Sequence, residues 1–142
     1  MNRMQLLGGV VGGLIGGVLF GVLLQATQGI ASVGLLINAE GVAMGWLTLL
    51  VITGVLGLVY ALTFGQLEHT WGRGALYGLA HGVIWWALGV LLIQPLILGY
   101  AIGTVTAATW TNLIGYLIYG LVTGLVSVAA RQQLGEPATS RG

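Results

Sequence analysis

The chain has 142 residues, 57% of them hydrophobic and only 5% charged, with a formal net charge of +1. Soluble domains carry roughly a quarter of charged residues, so this composition excludes an ordinary water-soluble globule, and the near-neutral balance gives no nucleic-acid signal. With no cysteine, disulfides and thiolate metal sites are excluded as well.

The first apolar run covers residues 4–24 and carries two glycine series. Gly9, Gly13, Gly17 and Gly21 recur every four residues, and Gly8, Gly12 and Gly16 run beside them. In water these seven glycines would cost a helix roughly 6–7 kcal/mol relative to alanine. In hydrocarbon the alternative to a helix is an unsatisfied backbone, so the bilayer itself enforces helicity. Small residues at this spacing let helices touch backbone to backbone. The two series cover about half of the circumference and leave Val11, Leu14, Ile15 and Val18 opposite, which predicts a central helix flanked closely by two neighbours. The run is longer than the ~7–15 residues of a signal-peptide core and no A-x-A pattern follows, so it is expected to be retained.

The connection QATQGIASVGLLINAE leads to a second run at residues 41–64. Asn38 is placed for an N-cap, Glu40 complements the helix dipole, and Trp46 is an expected interfacial anchor. The stretch QLEHTWGRG that follows reads as a loop in which Glu68 and His69 form a solvated pair beside Trp71, a second anchor.

The third run, residues 74–93, repeats the glycine pattern at Gly74, Gly78 and Gly82 and holds His81, seven residues from its start. Tyr77, His81 and Trp85 are i, i+4 neighbours on one face. An ionisable ring inside the bilayer usually faces the bundle interior. The plain expectation is a neutral imidazole bonded to a carbonyl or hydroxyl on a neighbouring helix; proton movement would want a second ionisable group, and the sequence places none nearby. Pro95, without an N–H, is expected to end or kink this helix.

A long connection, QPLILGYAIGTVTAATWTN, precedes the fourth run at residues 113–130, with Asn112 as the expected N-cap and Gly120 and Gly124 as a shorter glycine series. Like the first long connection, it is expected at the interface or folded back between helices. Residues 131–142 form a short tail. The expected architecture is all-α and integral to the membrane, a single domain of four transmembrane helices.

Arg3, Arg73, Arg131 and Arg141 fall in the N-terminal stub, the central connection and the tail. Those three places share one side of a four-crossing topology. The positive-inside rule therefore puts both termini in the cytoplasm of a multi-pass protein of the cell (inner) membrane. A 66-residue offset pairs Gly8 with Gly74, Gly12 with Gly78, Gly16 with Gly82, Gln28 with Gln94 and Gly54 with Gly120, which raises two tandem two-helix repeats as a topological expectation.

GLAHGVIWWALGVLLIQPLILG resembles a pattern found in small uncharacterised prokaryotic four-helix membrane proteins, carried by Gly78, Gly82, Trp85, Trp86, Leu88, Gly89, Pro95, Leu98 and Gly99. IGYLIYGLVTGL, residues 114–125, resembles the final helix of that pattern. The resemblance implies fold and topology and brings no activity with it. Some relatives carry histidine where Tyr116 stands here, so a histidine pair with His81 is not expected.

No nucleotide loop, metal motif or nucleophile triad is present, so neither an enzyme nor a cofactor or metal is expected. The leading functional expectation is association: an accessory or assembly subunit, or a homo-oligomer, held by glycine-mediated packing with itself or with other membrane subunits. A second is a small-solute or ion transporter or pore lined by Thr104, Thr106, Thr109, Asn112 and the Tyr77–His81 face. A third is a quinone- or pigment-binding subunit centred on His81, Tyr77 and Trp85, with Gly78 and Gly82 admitting a flat ring.

Overall fold

A computed structural model of the chain describes residues 3–135; of the expected tail, residues 131–135 continue the last helix, and Arg141 with the rest of 136–142 lies outside the described residues. The described residues are helical and contain no strand. We number the helices α1 (Arg3–Ala26), α2 (Ile30–Gly34), α3 (Val42–Thr63), α4 (Trp71–Leu98) and α5 (Ala107–Gly135). All but α2 are long and apolar enough to cross a membrane.

The four long helices pack in the order α3, α1, α5, α4, with α1 and α5 central. Glycine sets each contact. Gly9 and Gly13 lie against Gly57 and the Thr53 carbonyl, Gly17 against the Thr53 side chain, and Gly21 under the Trp46 indole, all on α3. Gly8, Gly12 and Gly16 meet Ala130, Thr123 and Tyr119 on α5. Gly78 and Gly82 meet the backbone of Gly120 and Tyr116, so α4 and α5 touch there without an intervening side chain, and Gly74 lies against the Val128 side chain and the Gly124 carbonyl. Val11, Leu14, Ile15 and Val18 point outward, whereas Thr48, Thr53, Thr123, Ser127 and His81 are buried. That arrangement, apolar outside and small or polar inside, suits a hydrocarbon solvent.

Several boundaries differ from the sequence reading. The third helix runs on through Pro95 to Leu98, and the fourth begins at Ala107, six residues before residue 113. A π-turn at Gly89–Ile93 precedes the proline. Pro95 cannot donate to the Leu91 carbonyl one turn back, and the Gly103 N–H takes that carbonyl at 2.9 Å instead. The helix then stops at Gly99, which adopts the left-handed conformation at φ 77°. Asn38 is not an N-cap: it is left-handed, φ 56°, and closes the 3-10 turn after α2, while Gly41 precedes α3. Nor does Asn112 cap α5, for it lies inside that helix; Thr106 and Thr109 form the cap. Of the two long connections, the first folds back as α2 against α3, burying Ile30, whereas residues 99–106 are exposed.

The glycine contacts make a direct prediction. A methyl group at Gly78 would meet the Gly120 carbonyl, whereas Gly72 has open space around it. Gly78→Val should cost more than the ~1–3 kcal/mol usual for overpacking, because backbone cannot repack as a side chain does. Gly72→Ala should be neutral or slightly stabilising. Thermal unfolding of both variants in detergent checks the pair.

Candidate functional site

His81 is 2% exposed and sits where α3, α4 and α5 converge. Its ring meets Tyr60 edge-on at a centroid distance of 5.2 Å, with Phe64, Trp85 and Tyr119 completing an aromatic enclosure. Nε2 of the imidazole lies 3.5 Å from the Tyr119 hydroxyl. Tyr77 stacks on Phe64 instead of on His81. Gly78 and Gly82 lie against the α5 backbone at Gly120, Gly124 and Tyr116.

The loop after α3 departs most from expectation. Glu68, read as half of a solvated pair, is 1% exposed. Tyr60 donates its hydroxyl to Glu68 Oε2 at 2.5 Å, and Ser127 donates to Oε1. Arg131 closes the cluster from above, donating to the carbonyls of Glu68 (3.0 Å) and Gly65 (2.6 Å) and to His69 Nδ1 (2.9 Å). The Gln5 amide oxygen accepts from the same guanidinium at 2.6 Å. His69 itself is exposed. Burial holds the Glu68 carboxyl above its usual range, although the Ser127 and Tyr60 hydroxyls and the Arg131 charge pull it down. An ionisable group is therefore present one tyrosine away from His81. The sequence did carry a signal for this cluster: Tyr119, Thr123, Ser127 and Arg131 recur every four residues and form one polar stripe along α5.

At the opposite end of the bundle the side chains leave a cavity of about 600 Å³ between α3 and α4, within the usual ~300–1,000 Å³ of small-molecule sites. Leu49, Ile52 and Leu56 wall it on α3, and Trp85, Gly89, Val90 and Gln94 on α4. Phe20 and Leu24 come from α1, Asn112 and Tyr116 from α5, while Ser32 and Val33 bring α2 to its rim. Phe20 and Tyr116 meet at a tilt, 4.9 Å between centroids. Of the expected ligand residues only Trp85 lines this space. The threonines read as a pore lining do something else: Thr104 and Thr106 join Thr109 in the hydrogen-bonded cap of α5. Trp46 donates to the Gln25 side chain at 3.1 Å, while Trp71 is exposed.

Among the described residues no three potential metal ligands gather. Compared with protein-family models, curated proteins and solved structures, the chain matches none.

Glu68 sets a pH dependence. Its carboxyl titrates higher in the fold than in the unfolded chain, so its contribution is fully present below about pH 4.3 and is lost as pH rises through the folded value. The thermal midpoint should fall across that rise in the parent chain and stay flatter in Glu68→Gln. Glu68→Ala, leaving the Tyr60 and Ser127 hydroxyls without an acceptor, should cost about 1–3 kcal/mol for each at acid pH. Unfolding curves between pH 4 and pH 8 test both statements.

Proposed function

We propose that the chain is a small multi-pass subunit of the cell membrane that holds a lipid-soluble molecule in the cavity between α3 and α4. The observation that carries this reading is the cavity itself: a largely apolar space between the helices, walled by aromatic and branched side chains with a few polar groups among them. Its aromatic members, Phe20, Trp85 and Tyr116, favour a ligand with a flat portion.

The expectation of a homo-oligomer or assembly subunit drew on the glycine stripes. Those faces meet within one chain, so contact with a second copy or with other subunits falls to the outward apolar surface and does not itself favour that role. A pore draws no support from threonines committed to a helix cap.

Two structural readings accompany the proposal. The arginine distribution orients both termini and the Glu68 loop toward the cytoplasm, with the cavity in the outer half. The α1–α3 and α4–α5 hairpins are tandem repeats: Gly9 and Gly13 against Gly57 correspond to Gly74 and Gly78 against Gly124. The offset is 65 in the first helices and 67 in the second, which explains why a uniform 66 aligns few residues.

Two measurements test these readings. Ile52→Trp should project an indole into the cavity and obstruct it, so mass spectrometry of lipid extracts from the purified protein should find a co-purifying molecule in the parent chain and less in this variant. Leu76→Trp, on the exposed surface, should retain it; equal occupancy in all three removes the cavity as the site. Because the chain has no cysteine, single cysteines at Glu40 and Gln66 report orientation cleanly. A membrane-impermeant maleimide on intact cells should label the first and spare the second; the reverse pattern inverts the topology.

A further inference from the structure

The cavity also restricts the chemistry of its occupant, an argument that rests on the reading above. None of the side chains lining it is charged. A phosphate, carboxylate or ammonium head would find no counter-charge among them, and whatever part of it left water would go uncompensated. The lining thus favours a neutral head group.

The hydrogen-bonding groups narrow it further. Three lining hydroxyls are committed as donors to backbone carbonyls: Thr27 to Leu23 at 3.0 Å, Ser32 to Gly29 at 2.6 Å and Thr111 to Ala107 at 3.2 Å. The side chains of Gln94, Asn112 and Tyr116 make no hydrogen bond among the described residues. Asn112 and Tyr116 lie one turn apart on α5, and Gln94 faces the same space from α4. The uncommitted donors are thus the Gln94 and Asn112 amides, the Tyr116 phenol and the Trp85 indole N–H, which form no hydrogen bond among the described residues. Their N–H and O–H groups outnumber the free amide oxygens beside them, so the set favours an acceptor-bearing head, and the rings favour a plane.

We propose that the cavity binds a neutral lipid-soluble molecule whose head is a carbonyl-bearing ring of the quinone class, with Gln94 and Asn112 donating to its carbonyl oxygens and Tyr116 and Trp85 against its ring. Binding changes no covalent bond and needs no redox partner.

The test is a titration of decylubiquinone into the purified full chain in neutral maltoside detergent, followed by quenching of tryptophan fluorescence, with oleoyl glycerol as the hydroxyl-headed competitor and a short-chain phosphatidic acid as the anionic one. Saturable quenching is expected, with Kd raised about tenfold in Gln94→Leu and in Asn112→Leu, which corresponds to ~1.4 kcal/mol for each. Neither competitor should displace the quinone at equal concentration. Circular dichroism and the thermal midpoint should stay unchanged, because these amides hold no partner in the fold; Asn112→Ala serves if the leucine variant fails to fold. Saturable binding indifferent to both amides but lost in Ile52→Trp overturns the head-group assignment and leaves the cavity reading intact. Displacement by oleoyl glycerol overturns the quinone class in favour of a hydroxyl-headed lipid, and displacement by phosphatidic acid overturns the neutral-head argument. No saturable binding overturns the quinone proposal outright, while the lipid-extract comparison decides the cavity independently.

Discussion

The fold depends on how closely α1 and α4 can approach their neighbours. Three contacts in a row, α3 to α1, α1 to α5 and α5 to α4, are made at backbone distance because glycine lies at each crossing. Lipid supplies no hydrophobic drive between helices, so association rests on van der Waals contact and hydrogen bonds, both of which demand this proximity. Close contact along that row has a geometric consequence. The two end helices, α3 and α4, face each other without an equivalent backbone contact. What fills the gap between them decides the character of each half of the molecule.

In the half that holds the termini, rings fill it. Tyr60 of α3 and Phe64 just beyond its end meet Tyr77 and His81 from α4, and Tyr119 on α5 backs them. His81 is enclosed by these rings, with Nε2 3.5 Å from the Tyr119 hydroxyl. Glu68 closes the same end. Its two oxygens gather a hydroxyl from α3 and one from α5, while Arg131 ties the loop backbone to α5 and reaches Gln5 on α1. One carboxyl group thus joins its loop to two helices, and Arg131 extends the cluster to α1. In the other half no comparable set of rings spans the gap, and the cavity is the result.

The sequence displayed the framework more clearly than the site. Glycine at four-residue spacing, lengths near twenty residues and arginines confined to alternate connections are local patterns, and they were sufficient for four helices and a central α1 with two close neighbours. Glu68 was misread because a charged residue between two apolar runs has a solvated loop as its ordinary meaning. Its burial depends on Ser127 and Arg131, which come more than fifty residues later and reach it only once α5 has packed. Asn38 and Asn112 were misplaced for a related reason: cap preferences are weak beside a turn or helix start fixed by neighbouring backbone. A cavity has no sequence pattern at all, since it is defined by what four separate helices fail to fill.

One detail of α4 connects the framework to the site. Gln94 lies nine residues beyond Trp85, and at ~100° per residue an uninterrupted α-helix would place the two on opposite sides. Both nevertheless line the cavity. The π-turn at Gly89–Ile93 lies between them, and its wider closure turns the chain through less angle per residue than an α-helix does. Pro95 lies just beyond, and the carbonyl it leaves without a donor, that of Leu91, is taken by the Gly103 N–H, so the irregular stretch keeps its backbone bonds. Trp85 and Gln94 thus share a wall that a regular helix would have divided. Irregular backbone at membrane depth is tolerated where it lines a cavity, and here the irregularity is what gives the apolar chamber one of its two uncommitted amides.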